Sequence, residues 1–220
     1  ARTRPDFEYV VVTPALPASS SLSAGNNNHW LPIIPGTDSA LVMGMIRWII
    51  DNQRYSAGFL SQPGESAMTA SGNAHWSNAT HLVISDEQHP RNGAFLRASE
   101  MGLPYSGEPL SDDDGYIIID QLTGEPGLNS QAGPAMLFVD TLIQTPSGPI
   151  KVKSSLQRLK EEAFRFDLAT YSQECGIDTE QIASLADRFT SFGTHAAVDT
   201  HGGTMHTNGF YTAYAILMLN

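Results

Sequence analysis

The sequence predicts an α/β chain with a parallel sheet core, a β-hairpin insertion and flanking helices. Three observations carry this expectation. Short apolar runs alternate with helical patterns in both outer thirds of the chain, the order that builds parallel sheets. A tight turn, Pro35-Gly36-Thr37-Asp38, opens directly into a long apolar helix. A central block of short strands, closed by a Ser147-Gly148 turn, interrupts the alternation and reads as a hairpin insertion. The expected division falls between 153 and 154, with the hairpin in the first domain and a helical segment opening the second.

Taken in order, Phe7–Val12 is an aromatic and β-branched run ended by Thr13-Pro14, and reads as a buried strand. Residues 15–29 are rich in Ser, Asn, Ala and Pro, and read as a loop. Trp30–Ile34 is extended but carries Pro32, which confines it to a sheet edge. In the turn that follows, Pro35 has no N–H to donate and Gly36 tolerates unusual backbone angles. Thr37 or Asp38 can cap the next helix by accepting its free N–H groups. That helix is apolar nearly all round, with Arg47 its one internal charge, so burial on most sides is expected. Residues 56–80 read as irregular, His81–Ser85 as a strand and Gly93–Met101 as a short helix. Asp112–Gly115 reads as a solvated turn. Tyr116–Asp120, Met136–Asp140 and Ile150–Lys153 read as strands. One helical pattern covers Ser154–Glu174, and another starts at Asp178. Thr194–Asp199 reads as a strand, and a last helix follows Asn208-Gly209.

The chain has 220 residues, 41% of them apolar, enough for one sizeable core. Its formal net charge is −11, and its lysines all lie between Lys151 and Lys160. Neutralising several phosphates needs a basic stripe, and none is present, so nucleic acid is not an expected partner. No apolar run reaches the roughly 18 residues of a membrane span, and there is no secretory signal pattern. The chain starts at Ala1 and closes on an apolar helical run without a stop signal, so a piece of a longer polypeptide is expected. A single cysteine, Cys175, excludes an internal disulfide and a cysteine-ligated zinc or iron–sulfur site within the chain. It reads as a buried thiol without basic neighbours.

Three constellations can carry chemistry. The Asp38 carboxylate, at a helix start, can accept two parallel N–H bonds from a planar donor edge such as guanine N1–H and N2–H. It can equally be no more than a cap. The loop from His201 to Gly209 follows an expected strand and opens a helix. Ligands gather at such strand ends, and N–H groups near glycines hold anions there. The plain alternative is an Asn208 cap with glycine turns. Neither a Walker loop nor GxGxxG is present. Finally, His195, Asp199, His201 and His206 form a nitrogen–oxygen metal-ligand set, but their spacing matches no strong pattern. There is no GxSxG elbow, and the Asp112–Asp114 run lacks the calcium-loop spacing.

The segment Trp30-Leu-Pro-Ile-Ile-Pro-Gly-Thr-Asp-Ser-Ala-Leu41 resembles the W-x-P-I-x-P-G-T-D-x-A-L stretch of the molybdopterin oxidoreductase superfamily, the relatives of dimethyl sulfoxide reductase. Val139–Leu159, with Thr145-Pro-Ser-Gly148 and Lys151-Val-Lys153, is similar to a hairpin and helix of its thiosulfate, polysulfide and tetrathionate reductase branch. Gly176–Ala186 is similar to the family's G-I-x-x-x-x-I-x-x-L-A helix. The resemblance covers most of the chain.

It implies a Rossmann-like cofactor-binding fold. Residues 1–153 would form a molybdopterin guanine dinucleotide-binding domain, and 154–220 would lead into part of a second cofactor-binding region. The implied cofactor is bis-molybdopterin guanine dinucleotide with molybdenum, with a 4Fe-4S cluster outside this chain. The implied activity is anaerobic reduction of a small sulfur oxyanion in the periplasm. The implied partners are an iron–sulfur electron-transfer subunit, together with a membrane anchor subunit. By the same resemblance Asp38 contacts guanine, Gly36 and Thr37 shape its turn, and His206 and Asn208 line the other nucleotide. Thr13 stands at a ribose or phosphate position, where family members often have Asp-Pro-Arg and this chain has Thr13-Pro14-Ala15. No catalytic or metal-ligating residue is implied within the chain. The alternative is a non-catalytic acidic α/β module that binds a ligand or a protein. It fits the composition but not the order of the three motifs.

Overall fold

The structure, a computed structural model, describes residues 7–16, 28–111, 113–131, 133–205 and 207–220. In chain order these form β1 (Tyr9–Val12), β2 (Asn28–Leu31), α1 (Asp38–Asp51), the short helices α2 (Ala57–Leu60) and α3 (Glu65–Ser71), and β3 (Leu82–Ile84). Next come α4 (Ala98–Met101), β4 (Ile117–Ile119), β5 (Pro126–Leu128), β6 (Asp140–Thr145) and β7 (Gly148–Ser154). The helices α5 (Ser155–Ala163), α6 (Leu168–Cys175), α7 (Thr179–Ser191) and α8 (Gly209–Leu217) complete the order, with 3₁₀ turns at Gly193–His195 and Gly202–Thr204. Two packed units result. One joins Ala1–Tyr55 to Ala163–Asn220, and the other is Ser56–Glu162.

In the first unit α1 is the central helix. Leu41, Met45 and Ile49, one turn apart, pack with Leu31 and Ile33 of the β2 segment and with Cys175, Ile177, Ile182 and Ala186 of the α6–α7 segment. Four-residue spacing on both helices brings one apolar face of each to the contact. Arg47 stays at the edge of this packing. It donates to the Phe166 carbonyl at 3.1 Å and lies 4.3 Å from the Phe164 ring centre. The single helix expected over Ser154–Glu174 is broken in two. Asp167 accepts the Thr170 N–H at 2.7 Å and starts α6 afresh, so local capping overrides a continuing apolar period. At α7 the Asp178–Gln181 capping box fixes the start.

In the second unit a three-stranded antiparallel sheet has the order β3-β7-β6. The β6–β7 hairpin pairs Asp140 with Lys153 through Thr145 with Gly148, leaving Pro146-Ser147 as the loop. Leu82, Ile84, Leu96, Ile117, Ile143, Ile150 and Val152 form its core. A separate pair, β4–β5, is also antiparallel.

Several expectations are corrected. The parallel sheet core is seen only as β1 beside β2, paired Tyr9–Asn28 through Val12–Leu31; every other pairing among the described strands is antiparallel. The chain is α/β in content, without a wide parallel sheet of its own. With one neighbour and open faces, β1 is half-exposed rather than buried, as Tyr9 at 40% shows. Residues 56–80 contain α2 and α3. The helix expected over Gly93–Met101 shrinks to α4, because the Leu96 N–H donates to Leu82 while Phe95 and Arg97 bridge to Val83 and Tyr116. Met136–Val139 is not a strand, and pairing starts at Asp140. β5 contains Pro126 and Gly127, which composition argues against; an edge position tolerates them. Asp114 is fully buried rather than solvated. Thr194–Asp199 is no strand, and Val198 instead pairs with the Asn220 side-chain amide through two hydrogen bonds of 2.8 and 2.9 Å.

Candidate cofactor-binding site

The Ile34–Thr37 turn closes through the Thr37 N–H to the Ile34 carbonyl at 3.3 Å, with Gly36 at φ +82°. Proline second and a left-handed glycine third define a type II turn, and that third position favours glycine because other side chains are strained there. The Thr37 hydroxyl donates to the same carbonyl at 2.7 Å, so it braces the turn and caps nothing. The turn is anchored from below. The Ile34 N–H donates to the Cys175 carbonyl at 2.9 Å, and the Ile34 side chain lies against Gly176, which ends α6.

Asp38 is the first residue of α1 and is half-buried. Its carboxylate accepts no hydrogen bond from any described residue, although it stands at the positive end of a 14-residue helix. Across from it lies the 200–204 loop. A Cβ placed on Gly203 would come 3.1 Å from Asp38 Cγ and Oδ1 and 3.0 Å from Thr200 Oγ1. The fold therefore brings together two loops that read as separate candidates along the sequence. Gly203 belongs to the expected His201–Gly209 loop, but its place against Asp38, with Thr200 beside it, was not expected. The only signal for them was the small-residue run Thr200-His-Gly-Gly-Thr204.

The remaining candidates fall as follows. His206 lies outside the described residues. Asn208 precedes α8 and is exposed; its carbonyl accepts the Thr212 N–H at 3.1 Å, but its side chain caps nothing. Thr13 follows β1, and its groups are engaged locally. Its N–H donates to Leu31 at 3.2 Å, its hydroxyl to Ala15 at 3.1 Å, and its carbonyl accepts the Trp30 indole N–H at 2.8 Å. Thr13 and the 35–38 turn both follow the carboxyl ends of the parallel strands, the side where open α/β sheets hold ligands. His195, Asp199 and His201 are exposed, and no three His, Cys, Asp or Glu side chains converge among the described residues. Cys175 is buried, and burial raises its thiol pKa, consistent with an inert core role.

The second unit has a hollow of its own, of about 330 Å³, lined by Trp76, Ser77, Asn78, His81, Phe95 and Tyr116. His81 is buried, its ring stacked 4.7 Å from Tyr116 and its Nε2 2.9 Å from the Pro63 carbonyl. Burial lowers the His81 pKa, the Pro63 contact opposes this, and the nearby Arg97 charge adds to the lowering. Sequence reasoning passed over His81, which is one histidine in an apolar run.

A carboxylate left without a donor at the end of parallel strands suits a ligand-binding protein, and comparison places the chain in the molybdopterin oxidoreductase family. It is 46% identical, over its full length, to a tetrathionate reductase subunit of Salmonella typhimurium. It is 39% identical over 87% of its length to a selenate reductase subunit of Mesobacillus selenatarsenatis. To a tetrathionate reductase subunit of Archaeoglobus fulgidus it is 31% identical over 91% of its length. It spans 21%, 18% and 17% of these curated relatives, respectively. No family model matches the chain.

Proposed function

We propose that this chain is one wall of the cofactor site in the catalytic subunit of a molybdenum-dependent anaerobic reductase that converts tetrathionate to thiosulfate. The full-length identity to a tetrathionate reductase subunit supports the substrate, and one structural observation supports the site. The Asp38 carboxylate is left without a donor, and the Gly203 backbone lies so near that a Cβ there would stand 3.1 Å from it. An acidic binding module without catalysis does not account for that identity.

The residues present fit bis-molybdopterin guanine dinucleotide. Carrying molybdenum, the bound cofactor supplies the redox chemistry, in which two electrons cleave the central sulfur–sulfur bond of tetrathionate into two thiosulfate ions. The chain's own residues bind and orient. Asp38 accepts guanine N1–H and N2–H as a parallel pair. Gly36 and Thr37 hold the turn that aims it. Asn208 and His206 belong to the wall of the other nucleotide, and Thr13, whose N–H and hydroxyl already donate within the chain, meets a ribose hydroxyl as an acceptor. The metal ligand and the 4Fe-4S cluster lie outside this chain. The β1–β2 pair is part of a larger Rossmann-like parallel sheet in the whole protein, since parallel strands are stable when covered on both faces. The whole protein works in the periplasm with an iron–sulfur subunit, alongside a membrane anchor subunit.

The test uses the full-length enzyme. Asp38→Ala should purify with less guanine nucleotide and molybdenum per chain, and should lose turnover of tetrathionate with a reduced dye. Normal loading and normal turnover in that variant overturn the guanine role.

A further inference from the structure

We propose that Gly203, together with Thr200, is a positioning residue: it sets the orientation in which the Asp38 carboxylate meets a guanine edge. This rests on the reading of Asp38 as the guanine contact and extends it to the opposite end of the sequence.

Two adjacent glycines make the comparison that carries the inference. Neither Gly202 nor Gly203 has a left-handed φ, so an alanine backbone is unstrained at both. They differ in surroundings. A Cβ at Gly202 meets nothing within 4 Å, and Gly202 is exposed. A Cβ at Gly203 meets the Asp38 carboxylate at 3.1 Å and the Thr200 hydroxyl at 3.0 Å, and Gly203 is buried. Glycine at 203 is therefore explained by space and not by conformation.

That space matters for the carboxylate. The last torsion of an aspartate is broad, so the plane of a carboxylate without a donor is not fixed by its own side chain. A bidentate contact needs both oxygens in register with two parallel N–H groups, each within about 2.7–2.9 Å. The Gly203 backbone faces the carboxylate as a wall that limits the rotation, with the Thr200 hydroxyl beside Gly203. The wall is itself braced. Thr204 donates through its hydroxyl to the His201 carbonyl at 2.7 Å, and the Met205 N–H donates to Gly202 at 3.1 Å. Behind it α8 begins so close that a Cβ on Gly209 would stand 1.9 Å from the Thr204 carbonyl oxygen. The start of α8 backs the 3₁₀ turn, and the turn backs Asp38.

The experiment measures the dissociation constants of GMP and AMP on the cofactor-free full-length protein, by calorimetry. Only guanine presents the paired N1–H and N2–H donors. Wild type and Gly202→Ala should favour GMP, and Asp38→Ala should lose that preference. Gly203→Ala should lose about tenfold of it, the scale of one hydrogen bond to a charged group. In the Asp38→Ala background the added Gly203→Ala should change nothing, because the group it displaces is gone. Retained GMP preference in Gly203→Ala, with loss in Asp38→Ala, overturns the positioning role and spares the guanine contact. Retained preference in Asp38→Ala overturns both. If Gly203→Ala does not fold, folding of the Asp38→Ala/Gly203→Ala double variant supports the inference, and its failure to fold overturns it.

Discussion

Two aspartates beside helix starts illustrate opposite uses of the same side chain. Asp38 is half-buried with no donor among the described residues, and so has bonding capacity left for a ligand. Asp114 is fully buried and saturated, accepting Ser99 N–H at 3.0 Å, the Ser99 hydroxyl, and Leu110 N–H at 2.8 Å. Burial pushes the Asp114 pKa up, but these bonds and the Arg97 charge outweigh it and hold the carboxyl below its ordinary 3.8. Its contribution to stability is complete above that value and is lost as pH falls through the lower folded-state value. Asp114→Ala should destabilise the chain by about 1–3 kcal/mol in urea unfolding near neutral pH, since buried donors lose their acceptor. An unchanged midpoint would contradict this account. His81 works with the other sign of charge. Its pKa lies below 6.5 in the folded chain, so the ring is neutral there, while the unfolded chain takes up a proton below that value. Stability from this residue is complete above 6.5 and declines as pH falls from there toward the folded-state value. The thermal midpoint should drop between about pH 7.5 and about pH 5.5, and His81→Phe should flatten that drop.

Helices show most clearly which local signals decide. α1 and α7 are legible because an apolar face and a start signal agree, and the structure places both as expected. The α5–α6 break is not legible from periodicity, since Leu156, Leu159, Ala163 and Phe166 continue the pattern across it. The Asp167 cap decides, and it was visible only to a reading that weighed capping against period. The packing these helices create rests on a few side chains. Ile182 on α7 is fully buried against α1 and α6, and Ile182→Ala should cost about 2–5 kcal/mol in chemical denaturation. A loss below about 1 kcal/mol would mean that this cluster is not the core of its unit. Strands depend more on distant partners than helices do. Thr194–Asp199 has strand composition, but among the described residues its backbone partner at Val198 is an asparagine side chain. Composition says what a segment tolerates, not which neighbour reaches it.

At the scale of the molecule, the first unit is assembled from segments on both sides of the second, so its core depends on contacts between distant parts of the sequence. The chain also spans only about a fifth of its relatives, 21% in the Salmonella case, and none of its residues is assigned as a metal ligand. The isolated chain should therefore show no tetrathionate reduction with a reduced dye, and the full-length protein, on the proposed function, should show it. Turnover by the isolated chain would place the reaction centre within these residues. The acidic balance, −11, also opposes anion binding by this piece unless helix ends act locally.

The sequence by itself determined the α/β class, the Pro35–Asp38 turn, the starts of α1 and α7, the β6–β7 hairpin and the family. Each depends on signals a few residues long or on motif order, which the chain carries without its fold. Tertiary structure alone decided that Gly203, with Thr200 beside it, faces Asp38, that Asp114 and His81 are buried, and that only β1 and β2 pair in parallel among the described strands. Those features depend on which distant segments meet, and contact across the chain is set by the packing of whole faces rather than by any local pattern.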